Sequence, residues 1–208
     1  NRYQKESKIP LLIGMDAEWG PAMRLDSVIN FQRQLTWGAM SNDSIVYEVG
    51  TVIAQQLKRL GVHVNFAPDI DINNNPNNPV IGDRSFGENK YNVALKGLMY
   101  MNALQDNHIV ACGKHFPGHG DVDADSHLTL PVVNHPYNHL DTVEFFPFKV
   151  LMNEGLGSIM LAHLYVPALD STKNQPSSLS PKVGRDLVRE RLGFKGLIFS
   201  DALNMKGA

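Results

Sequence analysis

Ile109-Val110-Ala111-Cys112-Gly113 is an uncharged run that stops abruptly at Lys114-His115. A strand with one wet face alternates apolar and polar residues, so a run apolar on both faces predicts a strand covered on both sides, as in a parallel sheet. Upstream, Tyr91, Ala94, Leu95, Leu98 and Met101 recur at helical spacing. The same design repeats along the chain. Leu11–Met15 ends at Asp16, Val62–Ala67 at Pro68-Asp69, Ser158–Ala162 at His163, and Leu197–Ser200 at Asp201. Ile45, Val49, Val52, Ile53, Gln56 and Leu60 line one helical face before the C-cap Gly61. Pro147 suits the first turn of a helix towards Gly155, and Ser180-Pro181 the start of one closed by Gly193.

Strand and helix in alternation imply an α/β fold with a parallel sheet. Polar residues punctuate successive strand ends, and no Gly-rich phosphate loop occurs. This favours a (β/α)8 TIM-like barrel over a doubly wound sheet, because a barrel builds its site from many strand ends. Roughly five strand–helix units are present against the eight of a barrel. The expectation is therefore one partial barrel domain over residues 1–208 that continues beyond this chain, with apolar edges prone to self-association. Asn73–Pro79 reads as a turn-rich loop and not as a domain boundary.

With 19 basic and 21 acidic residues, the chain lacks the charge excess of an electrostatic nucleic-acid binder. No apolar run reaches the roughly 20 residues of a membrane-spanning helix. The one cysteine, Cys112, excludes an internal disulfide and reads as a small core residue. Trp37 and the methionines read as core, and Trp19 as core or as a sugar-stacking platform.

The chemistry concentrates in Lys114–His127, which holds three of the eight histidines and three aspartates. His115 and His119 have the His-x3-His spacing of metal ligands, but Pro117, Gly118 and Gly120 argue against the helix that would align them. Asp121, Asp123 and Asp125 begin like a calcium loop, yet Ser126 and Val132 stand where Gly and Glu are required. No metal and no cofactor are expected. A glycine-hinged catalytic loop is the better reading. Asp125 lies two residues from His127, and a carboxylate beside an imidazole fixes its tautomer for general acid/base work. Asp201 is the carboxylate opposite it; its competing reading is a helix cap. His63, His108, His135 and His139 read as satisfied or solvated and are given no role.

The string Lys114-His115-Phe116-Pro117-Gly118-His119-Gly120, followed by Asp125-Ser126-His127, resembles the signature loop of bacterial family 3 glycoside hydrolases of the β-N-acetylglucosaminidase type. Asp16–Gly20 with Arg24, Asn65–Pro68, Ile81–Gly87 and Ser200–Met205 match in family order. The resemblance implies retaining hydrolysis of terminal β-linked N-acetylglucosamine in cell-wall muropeptides or chitooligosaccharides. It makes Asp201 the nucleophile and His127, paired with Asp125, the acid/base. Asp16, Arg24, Arg84, Lys114 and His115 become sugar contacts, and His163 a weaker one. The alternatives are a β-glucosidase or β-xylosidase of the same family, and a non-catalytic carbohydrate-binding fragment. Glu18–Met23 departs from the Gly-Gly-Arg run of many relatives. Bacterial relatives occur in the cytoplasm and outside it, so the sequence assigns no compartment.

Overall fold

The computed structural model describes residues 2–208. Five strands form one parallel sheet in sequence order. They are β1 (Gly14–Met15), β2 (Val64–Asn65), β3 (Val110–Phe116), β4 (Ser158–Leu161) and β5 (Leu197–Ser200). Unbroken sequential order with helices in the connections is the wall of a half-barrel. The helices are α1 (Arg2–Glu6), α2 (Gln34–Gly38), α3 (Ser44–Leu60), α4 (Lys90–Asp106), α5 (Tyr137–His139) and α6 (Phe145–Asn153). A π-helical segment covers Lys182–Arg191 before β5. No helix among the described residues is long and apolar enough to cross a membrane.

The helix ends follow local chemistry. Gly61 terminates α3 at φ 77°, a left-handed geometry that glycine adopts without strain. The Asn89 side chain accepts from the N–H groups of Tyr91 and Asn92 at the start of α4. The Ser180 hydroxyl accepts from Val183 N–H. The helical stretch around Pro147 starts earlier than expected, because α5 and a π turn over Leu140–Glu144 run directly into α6.

Two apolar layers flank the sheet. The outer one seats helix residues such as Ile53, Leu57, Tyr100, Leu104, Phe148 and Val188 against the strands. The inner one is small: Val64, Cys112 and Met160, with Phe66, Val110 and Phe199 against them. Gly14 lacks a side chain because Phe66 fills that space; a Cβ there would lie 2.6 Å from the ring. Burial raises the Cys112 thiol to about 12, so it is the inert core residue expected. The outermost strands β1 and β5 have no further partner among the described residues. Leu12 beside β1 and Leu197 in β5 are exposed, as expected for apolar edges.

Candidate functional site

Side chains alternate faces along a strand, so the inner apolar layer predicts what stands above it. Val110 and Cys112 face inward, and Lys114 continues their face within β3. Gly14 is followed by Asp16, and Phe199 by Asp201. Three polar groups from three strands thus emerge on the concave side of one sheet. They line a cleft of about 440 Å³ together with Glu18, Arg24, Arg84, His115 and His127.

The floor is a chain of ion pairs. Lys114 Nζ lies 3.1 Å from Asp16 Oδ1 and 2.8 Å from Glu18 Oε1. Arg24 reaches the other Asp16 oxygen at 2.8 Å. Arg84 grips both oxygens of Glu18, at 3.1 and 2.8 Å, in a bidentate fork. Burial works against a charged Glu18 and a charged Asp16, but Lys114 with Arg84 or Arg24 outweighs it and holds both carboxyls below their usual range. Burial beside Asp71 instead pushes Asp69 up to about 8.

His115 and His119 are buried, and burial is the main reason that each is lowered to about 4. The hydrogen bonds fix the state of His115. Its Nδ1 lies 2.7 Å from Asp71 Oδ2, and its Nε2 lies 3.3 Å from Arg84 Nη2. A guanidinium only donates, so Nε2 accepts and Nδ1–H donates to Asp71. His119 Nε2 pairs with Ser126 Oγ at 2.9 Å, and its backbone N–H donates to Asp71 Oδ1 at 2.7 Å. Asp71 therefore anchors the stem of the loop whose tip carries His127.

At that tip, His127 Nδ1 lies 2.7 Å from Asp125 Oδ1, which also accepts from the His127 backbone N–H at 2.8 Å. His127 is exposed and Asp125 partly so; burial works against a charged Asp125, but the contacts with His127 together outweigh it and hold its carboxyl below the usual carboxylate range. An ionised Asp125 holds the proton on Nδ1 and leaves Nε2 for exchange with a ligand. Burial opposes ionisation of Asp201, but the Ala202 N–H that it accepts and the Lys114 ammonium act against burial, and its pKa is lowered. The backbone beyond Asp201 turns onto the loop: Lys206 N–H donates to His127 O at 3.3 Å, and Gly207 N–H to Ser126 O at 3.1 Å.

Asp16, Arg24, Arg84, Lys114, His115, His127 and Asp201 line the cleft, and Asp125 orients His127. His163 does not line it. It is fully buried, with Nδ1 2.5 Å from Ser178 Oγ and Nε2 donating to Ala202 O at 3.1 Å. The reason is strand parity: Met160 faces the concave side, and His163, three residues on, faces away. Lys114 and His115 lie within β3, not after it. The loop stem is packed, not hinged; a Cβ on Gly120 would collide with the Ile72 carbonyl oxygen. Trp19 is no open platform, since the Arg33 guanidinium sits 4.3 Å over its ring. Asp201 caps no helix; its carboxylate accepts only from the neighbouring Ala202 N–H. His139 is neither satisfied nor solvated, because its Nε2 is buried without a hydrogen bond.

Sequence reasoning missed Glu18, Asp69 and Asp71, the buried carboxylates that organise the cations and imidazoles. Their one local signal is a pair of acids spaced by two in Asp69-Ile70-Asp71. Ligand atoms of Asp69, Asp71 and His115 lie within 4.8 Å of one another. The proton on His115 Nδ1 removes the lone pair that a cation would need there.

The pattern of the glycosyl hydrolase family 3 N terminal domain matches residues 1–208. The chain is 36% identical to β-hexosaminidase A of Pseudoalteromonas piscicida over 98% of its own length and 37% of that protein. Identity to the β-hexosaminidase of Thiobacillus denitrificans is 36%, covering 96% of this chain and 56% of the relative. Among solved structures, a family 3 β-N-acetylglucosaminidase from Paenibacillus sp. superposes with a TM-score of 0.89 at 40% identity, over 96% of this chain and 38% of that one. NagZ from Neisseria gonorrhoeae superposes with a TM-score of 0.86 at 33% identity, over 96% and 59%. The chain thus spans little more than half of these relatives at most.

Proposed function

The chain belongs to the glycosyl hydrolase family 3 N-terminal domain family, and from that membership we propose that it carries the catalytic centre of a retaining exo-β-N-acetylglucosaminidase. The observation that carries this reading is that Asp201 and the Asp125–His127 pair meet at one cleft built on strand ends.

In the first step an Asp201 oxygen bonds to the anomeric carbon of the sugar as the glycosidic C–O bond breaks. The leaving oxygen takes the proton from His127 Nε2. In the second step His127 takes a proton from water, the hydroxide oxygen bonds to the anomeric carbon, and the Asp201–carbon bond breaks. Two inversions retain the configuration. Glycoside hydrolysis of this kind commonly uses two carboxylates. Here one carboxylate works with an imidazole, whose Nδ1–H is fixed by Asp125. Asp16, Arg24, Arg84 and Lys114, with the neutral His115 beside them, supply donors and acceptors for ring hydroxyls and the acetamido group. Terminal N-acetylglucosamine of muropeptides or chitooligosaccharides fits the β-hexosaminidase activity of the relatives.

Trapping decides it. A 2-acetamido-5-fluoro glycoside, incubated with the full-length protein, is expected to leave a sugar-sized mass on the peptide containing Asp201. A mass on another residue, or turnover that survives Asp201→Asn, sinks the assignment.

A further inference from the structure

Outside the cleft, three side chains converge where the loop stem meets α5. Asp121 Oδ2 lies 2.5 Å from His135 Nε2, and the rings of His135 and His139 stack with centroids 4.0 Å apart. Each of the three offers a ligand atom within 4.8 Å of the other two. Each is about a third exposed, so an ion has a path to them.

A second observation comes from below. Glu144 is 2% exposed, and neither carboxylate oxygen has a hydrogen-bond partner. Its Oε1 lies 3.6 Å from His139 Nε2, itself buried and unpartnered. Two buried polar groups left unmatched at that distance are costly, because buried polar groups are ordinarily paired. The π turn of Leu140–Glu144 produces the juxtaposition. Phe145 N–H bonds to Leu140 O, five residues back, and the widened turn brings Glu144 round towards His139. Glu144 also lies directly under the loop, since a Cβ on Gly118 would be 2.6 Å from its Oε2.

We propose that Asp121, His135 and His139 form a binding site for a divalent transition-metal ion of the zinc class, with the unmatched Glu144 carboxylate beside His139 drawn in as the fourth ligand, and that the ion ties the stem of the His127 loop to the helix behind it. Two imidazoles with two carboxylates favour zinc, cobalt or nickel over magnesium or calcium, which prefer all-oxygen shells. In a tetrahedral site with bonds of about 2.0–2.1 Å, ligand atoms stand roughly 3.3 Å apart. The His139–Glu144 spacing of 3.6 Å is already close to that. The Asp121–His135 contact opens by less than an ångström, and the ion displaces the proton that the pair shares. His135-x3-His139 also has the ligand spacing of known zinc sites. Asp121 lies six residues before His127, so the ion fastens the loop without touching the cleft.

The test is metal binding by the whole chain, measured by calorimetry with zinc and by the visible spectrum of cobalt. One equivalent of zinc is expected, with a cobalt spectrum of tetrahedral type. His135→Ala and His139→Ala should each weaken binding at least tenfold, while His127→Ala leaves it intact. Anomalous scattering at the zinc edge from crystals of the unaltered protein locates the ion even if a variant fails to fold. A peak among Asp121, His135, His139 and Glu144 supports the site. No bound zinc, binding that disappears with His127→Ala, or a peak only in the cleft overturns it.

Discussion

Arg84 Nη2 donates to His115 Nε2 at 3.3 Å, so a permanent cation is hydrogen-bonded to an imidazole. Such a contact is favourable only while that nitrogen is unprotonated. Burial and Arg84 together keep His115 neutral, whereas His127 lies exposed at the loop tip beside Asp125. The two histidines of one segment thus sit in opposite surroundings, one a buried fixed acceptor and the other at the exposed loop tip.

The first prediction concerns titration. Both His115 and His119 fall from the ordinary 6.5 to about 4 in the folded state. Their contribution to stability is complete above pH 6.5, where both folded and unfolded forms are neutral. It is lost as pH falls from 6.5 towards 4, because the unfolded chain takes up protons first. Asp69, raised by burial, works in the opposite direction over this range, so melting curves mix the two. Side-chain 15N NMR separates them. The His115 and His119 rings should keep the neutral pattern from pH 8 to 5 and titrate near 4. In Arg84→Met the His115 midpoint should rise; an unchanged midpoint would remove Arg84 from the explanation.

The second concerns the dyad. His127→Ala should lower kcat/KM, which reports the step that expels the leaving group, by about 100- to 10,000-fold on a glycoside with a poor leaving group, as for lost general acid catalysis. The loss should be much smaller for an aryl leaving group that needs no proton. Asp125→Asn should follow the same dependence in weaker form. Equal losses on both substrates would mean that the loop acts through folding.

The third separates two uses of glycine. Gly61 is needed only for its φ of 77°, since nothing lies within 4 Å of an added Cβ. Gly120 is needed for contact, because an added Cβ would overlap the Ile72 carbonyl oxygen. Gly61→Ala should cost about 1–2 kcal/mol and Gly120→Ala about 3 kcal/mol or more in urea unfolding. Equal costs would show that the stem yields readily.

The fourth concerns His163, which holds the Ala202 carbonyl next to Asp201. His163→Ala should destabilise the chain by about 2–4 kcal/mol, from a cavity and two unmatched polar groups. Turnover should fall through kcat with KM little changed, because the cleft lining remains. A raised KM alone would return His163 to the binding surface.

Much of this site was legible in the chain. The parallel strands follow from doubly apolar runs, and α3 and α4 from residues three and four apart. Asp125 and His127 are near neighbours in the chain, and the other residues of their motif are contiguous. These are local facts, decided by side-chain periodicity and reach. Strand parity, which separates Asp201 from His163, is also written in the sequence, but only the packed faces of the sheet show which parity is concave.

The tertiary structure decided the rest. Glu18 belongs to the segment after β1, Arg84 to the loop after β2, and Lys114 to β3, and no spacing announces that they share one ion-pair network. Their protonation depends on burial and on partners dozens of residues away, which a linear pattern does not encode. The same holds for Asp121 and His135, which meet only when the loop folds back towards α5. Sequence alone determined the scaffold and the reactive groups it carries, because backbone hydrogen bonding and apolar periodicity act over a few residues. Charge states and metal-ligand geometry were left to tertiary packing, because electrostatics acts through space.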